Sequence, residues 1–93
     1  MTNISPGTAI EADGEFALTQ TKHAPIVQIK GDLGGGTVTL GIVDPDGDFA
    51  PLLDLSGAAI ATTIAGAIQV PTTEKIAVKL TGATSPDFVV NLI

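Results

Sequence analysis

The chain contains no cysteine, no tryptophan, no tyrosine and no arginine. Without cysteine it has neither a disulfide framework nor a thiolate metal site. Phe16, Phe49 and Phe88 are the only aromatic residues, so the exposed aromatic and arginine anchors common in binding modules are lacking. Basic residues are also scarce: four lysines stand against ten acidic side chains, for a net charge of −6. Such a surface repels phosphate backbones, so no nucleic acid is expected as a partner. With no basic patch, no membrane partner is expected either. The longest uncharged run lies between Asp54 and Glu74. It includes Gly57, Gly66, Pro71 and five Ser/Thr residues, which does not suit a membrane span. The opening MTNISPGTAI has neither the basic nor the apolar region of a secretory signal. These features predict synthesis in a reducing cytoplasm.

What is present is short apolar alternation punctuated by turn residues. The 93 residues predict a single domain with a modest core, with residues 1–14 as an extended N-terminal arm. Period-two alternation recurs along the chain and predicts strands. EFALT puts Phe16 and Leu18 on one face, and PIVQIK does the same for Val27 and Ile29. TVTLGIV aligns Val38, Leu40 and Ile42. KIAVKLT aligns Ile76, Val78 and Leu80 against an outward set of Ala77, Lys79 and Thr81. DFVVNLI aligns Phe88, Val90 and Leu92. Residues 57–70 are ambiguous. Ile60, Ile64 and Ile68 recur at helical spacing, but Gly66 and the β-branched Thr62, Thr63 and Ile64 favour two short strands turning near Ala65-Gly66. About six to eight short strands with turns between them predict an all-β fold, an antiparallel β-sandwich of jelly-roll or immunoglobulin-like type.

Few motifs carry chemistry. In GIVDPDGDFAP, Pro45 suits the second position of a type I turn and Gly47 the left-handed position that completes a bulged hairpin. Asp44, Asp46 and Asp48 are also a weak candidate calcium site, since calcium takes six to eight oxygen ligands. An EF-hand loop needs Gly at position six and Glu at position twelve. Counting from Asp44, Gly47 is fourth and Leu55 is twelfth, so a plain hairpin is the better reading. Gly34, Gly35 and Gly36 lead into a strand with no following Lys-Ser/Thr pair, which makes them a turn rather than a phosphate loop. His23, the single histidine, reads as an ordinary loop residue. No acid, base and nucleophile converge, so neither an enzyme nor a cofactor is expected. The remaining signal is apolar residues on outward positions: Ile26, Val43, Val89 and Ile93 are candidate interface residues.

From Glu15 to Ile93 the order of pieces resembles small β-sandwich virion proteins of tailed bacteriophages. The likeness is carried by GEFALT, by APIVQIKGDLGGGTVTLGIVDPDGDFAPL and by EKIAVKLTGATSPDFVVNLI. It lies in turn-and-strand patterns: a Gly-Thr-Val-Thr-Leu strand, an Asp-Gly hairpin, and a Thr-Gly-Ala-Thr turn before the terminal strand. Where relatives often carry Arg or Tyr before that last turn, this chain has KIAVKL, so the resemblance transfers no binding residue. It implies a capsid cement or decoration subunit that bridges coat subunits, commonly a homotrimer, located on the capsid surface. The partners implied are further copies of the chain and a major capsid or other virion protein. A head- or tail-fibre module that binds a receptor or glycan is the alternative.

Overall fold

The β-branched and aliphatic runs form strands that pair across long sequence distances. In the computed structural model, which describes residues 1–19, 26–69 and 75–93, no helix occurs and nine strands form two sheets. They are β1 (Thr2–Ile4), β2 (Gly14–Leu18), β3 (Ile26–Asp32), β4 (Thr37–Val43), β5 (Phe49–Pro51), β6 (Ala61–Thr62), β7 (Gly66–Gln69), β8 (Ile76–Thr81) and β9 (Asp87–Leu92). The larger sheet has the order β1-β2-β8-β4-β5, with β6 also paired to β4; the smaller has the order β7-β3-β9. All pairs are antiparallel except β1 with β2. The fold is that of an all-β sandwich. The count exceeds eight because pieces as short as β1 and β6 are also paired.

Alternation decides which residues face inward. Leu18, Val38, Leu40, Ile76, Val78 and Leu80 from the larger sheet meet Val27, Ile29, Phe88 and Val90 from the smaller one in a single buried cluster. Phe16 and Leu92 are partly buried and pack against it. Ile42 is only half-buried, a correction to its placement in the core. It lies near the end of β4, opposite Ile76 and Ala50, where the sheet runs out. Ala77 is fully buried rather than outward-facing. It pairs with Ala17 on one side and Gly41 on the other. The ring of Phe49 lies so close to Gly41 that an added Cβ there would sit 2.6 Å from it, which roofs this row of small residues.

The first fourteen residues are built into both sheets. Thr2–Ile4 pairs with β2. The chain then crosses to the edge of β9, where the Gly7 amide donates to the Val90 carbonyl (2.9 Å) and the Ile10 amide to the Phe88 carbonyl (2.7 Å). Ile10 and Leu33 are both buried in the core. Residues 57–69 form the two short strands in place of the helix, but β6 and β7 enter different sheets. Thr63–Ala65 is therefore a crossover along one side of the sandwich.

Candidate interaction surface

The aspartate turn closes the β4–β5 hairpin with its own hydrogen bonds. The Gly47 amide donates to the Asp44 carbonyl and the Asp44 amide to the Asp48 carbonyl, each at 2.9 Å. Asp44 Oδ1 accepts the amides of Asp46 (3.0 Å) and Asp48 (2.8 Å). Gly47, at φ 85°, occupies the left-handed position that a side chain resists. A carboxylate oxygen committed to two amides of its own loop is a hairpin organiser. Among the described residues, no group of three or more His, Cys, Asp or Glu is placed to hold a metal ion.

The same device recurs ten residues later, where the sequence gave no proline to mark it. The Gly57 amide donates to the Asp54 carbonyl (3.0 Å) and the Asp54 amide to the Ala58 carbonyl (2.8 Å). Asp54 Oδ1 accepts the Ser56 hydroxyl (2.7 Å) and the amides of Ser56 (2.9 Å) and Ala58 (3.1 Å). Gly57 has φ 87°, matching Gly47. The Ser56 hydroxyl first, then the Ala58 and Ser56 amides, hold the Asp54 carboxyl below its ordinary value. The legible signal was Asp-x-Ser-Gly beside Asp-x-Asp-Gly at the same spacing.

This second turn tips an arm that leaves the edge of the larger sheet. Leu52 and Ile60 at its base pack on the core. The Leu52 amide donates to the Leu40 carbonyl and the Leu40 amide to the Ile60 carbonyl, each at 2.9 Å. Beyond that base the apolar residues point outward. Leu53 is 57% exposed, Leu55 is fully exposed, and Ile64 in the crossover is 72% exposed. From Pro51 to Gln69 the only charged residue is Asp54. None of these exposed residues was among the interface candidates read from sequence.

Those candidates fall in two places. Val27 and Ile29 are buried, so Ile26, Gln28 and Lys30 face out from β3. In register beside them are Asn91 opposite Gln28 and Val89 opposite Lys30. The Ile93 amide donates to the Ile26 carbonyl at 2.9 Å, which places these two apolar residues side by side. Ile26 is 36% and Ile93 57% exposed, while Val89 is half-buried. The Asn91 amide nitrogen donates to Gln28 Oε1 (3.1 Å) in the middle of this face. Val43 is not part of it. It is half-buried at the end of β4 in the other sheet, where its amide donates to the Lys75 carbonyl.

The glycine run is a tight turn held against the loop before β9. The Gly34 amide donates to Asp32 Oδ1 (2.8 Å), the Gly36 amide to the Leu33 carbonyl (3.0 Å), and the Thr84 amide to the Gly34 carbonyl (2.9 Å). Asp13 braces the same end by accepting the amides of Gly82 and Ala83, both at 3.1 Å. His23 lies outside the described residues. In comparisons with known proteins, no family model, no curated protein and no solved structure matches this chain.

Proposed function

We propose that the chain is a structural protein of a tailed-bacteriophage virion, a capsid cement or decoration subunit. The observation that carries the reading is a rigid small sandwich with surplus apolar side chains on its outside, at the arm and on the outer face of β3 and β9. The resemblance adds to it, because its three stretches include β2, β3 to β5, and β8 to β9. In this reading the protein works mechanically. It is made in the host cytoplasm, associates as a homotrimer and settles on the capsid surface. There it bridges neighbouring coat subunits and buries apolar area that resists the pressure of packaged DNA. An acidic body also suits a coat around a polyanion, since it does not compete for the genome.

The test is to purify particles of the phage encoding the chain, separate heads from tails, and identify the protein in each fraction by mass spectrometry. It is expected on intact heads, and heads assembled without it should release DNA at a lower temperature. Absence from particles overturns the reading. Recovery with fibres instead of heads would make it a fibre module.

A further inference from the structure

The molecule carries two separate exposed apolar features, and they differ in shape and charge. One is the projecting arm, with Leu53 and Leu55 at its tip and Asp54 between them. The other is the flat outer face of the smaller sheet, with Ile26 and Ile93 side by side. Lys30 lies on that same face, about 13 Å further along β3 at the rise of a strand. Among the described residues Lys30 makes no ion pair. Arm against arm would bring Asp54 toward Asp54, and face against face would bring Lys30 toward Lys30. Arm against face places opposite charges together and covers both apolar patches.

We propose that the arm of one copy docks on the outer face of β3 and β9 of a second copy, so that self-association is head-to-tail. The inference deepens the proposed assembly role and rests on that reading only for the number of subunits. A head-to-tail contact gives a closed ring when its rotation closes, and three copies would close it here. Leu55 acts as the anchor, because a fully exposed leucine at the end of a hydrogen-bonded turn reaches a partner without rearranging its own fold. The arm itself is uncharged apart from Asp54, so two copies of a protein with net charge −6 can approach through it.

A mixing experiment separates this contact from any symmetric one. Leu55→Lys disables the arm, and the double variant Ile26→Lys, Ile93→Lys disables the face. Each site is exposed, and far-ultraviolet circular dichroism with a thermal melt checks that each variant is folded. In sedimentation velocity the wild type is expected to be a trimer and each variant alone monomeric, with association weakened about 30-fold or more, as for an interface anchor. Mixed in equal amounts, the variants should form a heterodimer, because one intact arm and one intact face remain. A monomeric wild type, a Leu55→Lys variant that still assembles, or a mixture that stays monomeric each overturns the proposal. Because the chain has no cysteine, a second version uses Leu55→Cys in one copy and Ile93→Cys in the other. Mild oxidation should cross-link the mixture faster than either variant alone, and faster cross-linking of Leu55→Cys with itself overturns the arm-to-face contact. Neither result depends on whether the protein is found on heads, so the two readings fail separately.

Discussion

Leu40 and Leu55 are the same residue in similarly apolar sequence, and truncating each to alanine should have opposite consequences. Leu40 is fully buried in β4, opposite Val78, with its backbone bonded to both sides of the arm's base. Leu40→Ala removes three carbons at about 0.8 kcal/mol each, and the cavity left behind brings the expected cost to about 2–5 kcal/mol. A domain of 93 residues has a total stability of about 5–14 kcal/mol, so the variant should melt about 10–30 °C lower. Leu55 touches solvent on every side, and Leu55→Ala should change monomer stability by less than about 0.5 kcal/mol while weakening association. Urea unfolding is best followed by circular dichroism, since the chain has no tryptophan or tyrosine to report by fluorescence. A Leu40→Ala loss below about 0.5 kcal/mol would show that β4 presents its other face to the core. A Leu55→Ala loss as large as that of Leu40→Ala would show that the arm folds back onto the body.

Four further outcomes follow. Gly47→Val should cost about 1–2 kcal/mol through its positive φ alone, because a Cβ there meets open space; Asp46→Asn, measured beside it, should stay within about 0.5 kcal/mol. Gly41→Ala should cost about 1–3 kcal/mol, since the new Cβ runs into the Ala50 carbonyl and the Phe49 ring; a neutral result would mean that the ring does not cover this row. Asp54 has a depressed folded value, so its contribution to the arm turn is present above the ordinary aspartate range and is lost as pH falls below about 4. Nuclear magnetic resonance should show the Ser56 and Ala58 amides shifting only there, and Ser56→Ala should raise the Asp54 value; titration at or above the ordinary value contradicts the bonding seen at Oδ1. Finally, a chelator should leave the melting temperature unchanged, whereas a drop of many degrees would give the Asp44 turn to a cation.

The strands of the core were legible because each obeys period two on its own. Val38 and Leu40 or Val78 and Leu80 need no knowledge of their partners to be placed inward. The Asp44 turn was legible for the same reason, with Pro45 and Gly47 marking it locally. Ile10 and Leu33 were not, because each is a lone apolar residue among turn and acidic neighbours. Their burial depends on β9 and on the loop before it, which lie far away in sequence. Ala77 was misplaced because its cover comes from Phe49, across two strands. The arm was invisible for a different reason. Leu52, Leu53, Leu55 and Ile60 look alike in sequence, and only the pairing register with Leu40 decides which of them enter the core.

That register also gives the arm its meaning. An antiparallel strand with one wet face alternates apolar with polar, whereas a strand covered on both faces is apolar throughout. The edge formed by Phe49–Leu53 and Ala59–Thr62 follows the second pattern while occupying the first position. Leu52 and Ile60 fill the inward side, and Leu53 with its bridge partner Ala59 takes the outward side without any charge. Shifting the register by one residue would only exchange one apolar set for the other. The sandwich therefore cannot bury this edge completely by any choice of pairing. Edges are usually blunted by charge, proline or a covering segment. On the smaller sheet Gly7–Ile10 covers β9 in that way. On the larger sheet only Pro51 and the inward-bonded Asp54 interrupt the edge, so the body of the protein leaves the covering of Leu53 and Leu55 to another chain.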